Sequence, residues 1–110
     1  MTNLYVRNRG TNRIGIDFDA VTTQLVWEKG RPVPGRDSAL WRFDYCGALV
    51  YRWDYGDRKT GGFGWEIDHI QPVAKGGTDV LSNLQPLQWE NNLGKSDDWP
   101  SWSCKVSLRQ

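Results

Sequence analysis

Hydrophobic positions in this 110-residue chain fall into short groups of differing spacing, which predicts small helices and strands rather than one long repeat. Met1 to Phe18 is rich in Asn, Thr, Arg and Gly with weak periodicity, so residues 1–18 read as an arm or an irregular edge. Asp19 is placed to cap a helix running to about Lys29, with Gly30 as its stop and Val21, Leu25 and Val26 on its buried side. Pro32, Pro34 and Gly35 then make a loop. From Ala48 to Trp53 the pattern alternates, with Leu49, Tyr51 and Trp53 facing away from Ala48, Val50 and Arg52, as a half-buried strand requires. Gly64 to Ile70 alternates likewise and reads as the returning strand of a hairpin, ended by Pro72 and Gly76-Gly77. Pro86 opens a short helix from about Leu87 to Gly94, on which Gln88, Asn92 and Lys95 share one stripe and Trp89 and Leu93 a neighbouring apolar one. Trp99 and Trp102, beyond the break at Asp97 to Pro100, are expected to fold back as a cover.

This pattern describes one small domain, residues 19–110, with its core at 46–97. Seven tryptophans in a chain that is 38% hydrophobic imply a core of a few bulky rings. A net charge of +1 argues against coating nucleic acid through bulk charge. Local basic patches remain at Arg7, Arg9 and Arg13 and at Arg58-Lys59, the first reading equally well as an arm in a DNA groove or as a solvated end. Two cysteines, Cys46 and Cys104, are too few for a disulfide scaffold or a four-cysteine zinc site; a single bridge between them stays open, and the reading preferred is free thiols with packing roles. With no charged-then-apolar leader and no run of about 18 apolar residues, a cytoplasmic (intracellular) chain is expected, with no membrane partner.

The chemistry concentrates at Asp68-His69, which holds the sole histidine of the chain between Ile67 and Ile70. An imidazole beside a carboxylate can hold a divalent cation and activate a water. Neighbours on a strand point to opposite faces, so the two can serve one site only where the pleat breaks down, and Pro72 puts that break just after them.

The stretch from Trp65 to Asp97, WEIDHIQPVAKGGTDVLSNLQPLQWENNLGKSD, places Asn83 and Asn92 after the Asp-His pair with Pro72, Gly76-Gly77, Leu84-Gln85 and Lys95 between and beyond them. It resembles the HNH endonuclease family in its variant with asparagine in place of the last histidine. The resemblance implies an α+β fold with a ββα-metal (treble-clef-like) core, an N-terminal helix and aromatic-rich flanks. It implies metal-dependent hydrolysis of DNA, most simply double-stranded, with His69 as general base. Asp68 and Asn92 would hold Mg2+, for which Mn2+ can substitute, and Asn83 would pin the loop and orient the histidine. Lys95 and Arg52 are candidates for contact with substrate phosphates, and Glu66 for orienting its neighbours. Many relatives also carry two Cys-x-x-Cys pairs around a structural zinc. The corresponding positions are Phe43 with Cys46 and Gln88 with Asn91, so no structural zinc is expected, and packing of Trp53, Trp65, Trp89, Trp99 and Trp102 is the expected replacement. Two other readings stand beside the nuclease: a non-catalytic module gripping nucleic acid or protein, and a nuclease subunit of a larger defence, mobile-element or phage assembly.

Overall fold

A computed structural model of the chain describes residues 10–107. Arg7 and Arg9 lie outside the described residues. The first helix, α1 (Ala20–Trp27), is capped by Asp19, whose side chain accepts from the Thr22 amide at 2.7 Å. It is shorter than the sequence predicts and turns a different face inward. Thr23, Val26 and Trp27 are buried, whereas Val21 and Leu25 are exposed. The indole of Trp27 is the largest apolar surface on the helix, and burying it decides the rotation.

Two antiparallel sheets follow. Strands β1 (Arg31–Pro32), β2 (Trp41–Phe43) and β3 (Leu49–Tyr51) form the first in that order. Strands β4 (Trp65–His69) and β5 (Leu84–Gln88) form the second, with the short helix α2 (Trp89–Lys95) directly after β5. The predicted hairpin is therefore corrected: β3 pairs with β2, placing Arg42 opposite Val50, and β4 pairs with β5, placing Ile67 opposite Pro86. Alternation in the 48–53 segment stops at Tyr51 because Arg52–Asp54 winds into a 3-10 turn that leaves Trp53 in solvent. Pro86 opens no helix. It lies within β5, where a two-stranded sheet leaves each strand an unpaired edge that tolerates a missing N–H. The helix begins three residues later, where the Gln88 side chain accepts from the amides of Glu90 and Asn91 at 2.8 and 3.0 Å.

The core joins both sheets to α1. Val26, Trp27, Val50, Trp65, Ile67 and Leu84 form one buried cluster, with Phe18 and Tyr55 packed on it. Ring pairs Trp27–Trp65 and Tyr55–Trp65, with centroids 5.2 and 4.7 Å apart, fill its centre.

At the positions where relatives place zinc, the expected tryptophan packing does not occur. Trp65 is fully buried, but Trp53 and Trp99 are exposed. The tie between the two segments is polar. Asp44, only 1% exposed, accepts from the amides of Cys46 and Ala48 at 2.8 Å each, from the Gln88 amide at 2.8 Å and from Asn91 Nδ2 at 3.0 Å. Asn91 in turn accepts from the amides of Lys105 and Val106. The cysteines are likewise corrected. Cys46 and Cys104 form a disulfide, so their expected role as free thiols does not hold. Bridges of this kind persist in oxidising compartments and are rare in the cytoplasm, where the sequence predicts the chain to reside. Among the described residues, no helix is long and apolar enough to cross a membrane.

Asp44→Ala leaves several buried donors without an acceptor and is expected to destabilise the fold by about 3 kcal/mol or more, read from urea unfolding. Reducing the Cys46–Cys104 bridge, which closes a long loop, is expected to remove about 2–4 kcal/mol, seen as a lower Tm in reductant that Cys104→Ser reproduces.

Candidate active site

The β4–β5–α2 unit gathers the residues that the motif singled out. Every residue of β4 is buried, and the strand ends at His69. Asp68 and His69, both near this end, line one small polar cleft together with Asn92 of α2 and with Gly10, Ile67, Ser96 and Asp97. Its volume of about 30 Å³ suits roughly one water-sized occupant.

Asn83 fixes the end of the strand. Its Oδ1 accepts from the Gln71 amide at 2.9 Å, while its Nδ2 donates to the carbonyls of Gln71 and Thr78 at 3.1 and 2.9 Å. The amide of Ile70 donates to the Asn83 carbonyl, so the loop is closed across its neck. Gly77 makes that closure possible, since a Cβ there would lie 1.8 Å from the Gln71 carbonyl oxygen.

Asp68 accepts from Gln85 Nε2 at 3.0 Å and lies 3.3 Å from Lys95 Nζ. Burial pushes its carboxyl above the usual carboxylate range, opposed by the Gln85 hydrogen bond and the Lys95 ammonium. Asn92 donates from Nδ2 to Glu66 Oε1 at 2.8 Å, and Glu66 Oε2 accepts from Arg58 Nε at 2.6 Å. With its amide nitrogen committed to Glu66, the oxygen is the donor that Asn92 would offer to a cation.

The two candidates for substrate contact are placed elsewhere. Lys95 is 1% exposed, and its Nζ donates to the His69 carbonyl at 2.9 Å as well as facing Asp68. It therefore ties α2 to the end of β4 from inside. Arg52, in the turn after β3, donates to Gln24 Oε1 and stacks 4.5 Å from the Trp53 ring, so the core side of that turn holds it. Sequence reading also missed Asp79, whose Oδ1 lies 2.8 Å from His69 Nε2. It stands in the Gly76-Gly77-Thr78-Asp79 run of the quoted motif, but no periodicity links it to His69.

The imidazole is only 3% exposed. The Phe18 ring lies 5.9 Å from it, and Gly10, which lines the cleft, lies beside Glu66. Among the described residues no three His, Cys, Asp or Glu side chains form a metal-holding group. The available donors are one carboxylate and one amide, a set that suits a hard ion retaining several waters and unsuited to zinc.

No curated protein and no solved structure matches the chain. The family model described as HNH endonuclease matches residues 56–98, a stretch that contains β4, the loop fastened by Asn83, β5 and α2. That stretch, under half of the chain, is similar to the HNH endonuclease family, whose members are usually nucleases.

Proposed function

We propose that this chain is an endonuclease that hydrolyses DNA phosphodiester bonds with the help of a divalent cation. The observation that supports it most is the convergence of Asp68, His69 and Asn92, from a strand end and a following helix, on one polar cleft. His69 accepts the proton of the attacking water, an exchange that imidazole performs near physiological pH. Asp68 and Asn92 would hold magnesium, or manganese in its place. When bound, such an ion supplies positive charge to the phosphate and to the departing 3′ oxygen. Glu66 keeps the Asn92 amide turned, Arg58 neutralises Glu66, and Lys95 holds α2 against the catalytic strand end. Asn83 preserves the line between His69 and the phosphorus by keeping the loop closed. The products carry 5′ phosphate and 3′ hydroxyl, and a single site nicks one strand at a time.

A cleft of about 30 Å³ does not admit a phosphodiester as it stands, so the segment from Gly10 to Phe18 yields when substrate enters. The same cover favours a second reading, a nuclease subunit activated by a partner that moves the segment.

His69→Ala is expected to lower plasmid nicking in magnesium by at least about 10²-fold while leaving the thermal melt near that of the parent. Equal nicking by the variant would falsify the assignment. Chelator is expected to abolish cleavage. Asn92→Ala and Asp68→Ala are expected to raise the metal concentration needed for half-maximal rate, as titration of Mg2+ or Mn2+ into the assay will show. Activity that appears only on adding a partner selects the subunit reading.

A further inference from the structure

The nuclease reading uses His69 as a base but leaves open what holds its ring. Three side chains approach it. Phe18 contributes an apolar face, Asp68 is its chain neighbour, and Asp79 places Oδ1 2.8 Å from Nε2. We propose that Asp79 is the positioning residue of the catalytic histidine. This rests on the nuclease reading above.

A carboxylate only accepts hydrogen bonds, so the nitrogen facing Asp79 carries the proton. In the neutral ring the lone pair then resides on Nδ1. Asp79 thereby selects the tautomer and fixes rotation of the ring about its Cβ–Cγ bond, and its negative charge stabilises the imidazolium formed when water gives up a proton. Water loses H+ to Nδ1, hydroxide adds to phosphorus, and the 3′ oxygen leaves with the P–O electron pair and takes a proton from solvent water to become the 3′ hydroxyl; the imidazolium then returns its Nδ1 proton to solvent, and Nε2 keeps its own throughout.

Asp79 is itself positioned. The Arg13 amide donates to its Oδ1 and Oδ2 at 3.0 and 3.3 Å. Its backbone follows Thr78, whose carbonyl accepts from Asn83 Nδ2 at 2.9 Å. One asparagine thus fixes both the end of the strand bearing His69 and the loop bearing the carboxylate that faces it. Asp79 is partly open to solvent while His69 Nε2 belongs to a side chain 3% exposed, so the hydrogen bond is shielded chiefly on the histidine side.

The chain has a single histidine, which makes the ring directly observable. In metal-free protein labelled with 15N-histidine, the parent is expected to show one downfield proton on Nε2 in slow exchange with water. Asp79→Ala is expected to lose it and Asp79→Asn to retain it at a less downfield position. In plasmid nicking with magnesium, Asp79→Ala is expected to lower kcat about 10- to 100-fold with KM unchanged, and Asp79→Asn to fall between it and the parent. A purely structural role predicts loss of thermal stability and a shifted KM instead. Nicking by Asp79→Ala at the parent rate, or an Nε2 proton unchanged in that variant, overturns the proposal while the nuclease assignment stands. A parent chain that never cuts, yet shows the Nε2 proton, sinks the nuclease reading and with it the catalytic role of Asp79.

Discussion

Everything that places the site passes through one buried carboxylate. Asp44 receives hydrogen bonds from its own turn between β2 and β3 and from the start of α2, two segments 44 residues apart in sequence at the Gln88 contact. In one common form of the HNH family that this stretch resembles, the corresponding segments are joined by zinc. A metal clamp draws its strength from ligand bonds, whereas the Asp44 clamp draws it from directional hydrogen bonds in a place that water does not reach. Burial pushes the Asp44 carboxyl up, opposed by those donors. The Cys46–Cys104 bridge and the Asn91 contacts then bring the C-terminal stretch onto the same clamp, so three parts of the chain share one polar anchor.

From that anchor the geometry of the site follows. Gln88 caps α2 and simultaneously gives its amide to Asp44, fixing where the helix starts and how it is rotated. Asn92 and Lys95, three residues apart on one face, then meet β4 side by side, while Leu93 turns to solvent. The charges around the cleft are paired: Lys95 with Asp68, Arg58 with Glu66. Burying the Lys95–Asp68 pair brings little stability, because desolvation offsets most of the attraction, and Arg58 keeps its own end of the other pair in solvent.

The parts of this arrangement that sequence disclosed are those encoded by neighbours. Asp68, His69, Asn83 and Asn92 stand in a fixed order within one short stretch, and Asp19 announces its helix by local capping chemistry. The hairpin misled because two alternating segments were adjacent in sequence, whereas the partner of β4 contains Pro86, which disguised a strand as a helix start. β2 is three residues long and too short to show a period. Asp44, Asp79 and the Cys46–Cys104 bridge act across long separations, where side-chain identity carries no record of its partner. Lys95 and Arg52 were judged by charge, yet each is held inward by carbonyl, amide or aromatic partners that only the fold supplies.

The cover over the cleft sets the last constraint. His69 is 3% exposed, with the Phe18 ring 5.9 Å from it and Gly10 lining the cleft. The Gly10–Phe18 segment is unevenly attached. Phe18 packs on the core, but Ile14 and Ile16 are 59% and 57% exposed and add little burial. Its other ties include the Arg13 amide on Asp79, a 3.3 Å contact from the Tyr55 hydroxyl to the Gly10 carbonyl, the Thr11–Asp17 bridge and a local turn organised by Asn12, with Thr11 itself buried. Asp79 stands where the segment meets the site: its Oδ1 lies 2.8 Å from His69 Nε2, and its carboxylate accepts from the Arg13 amide at 3.0 and 3.3 Å.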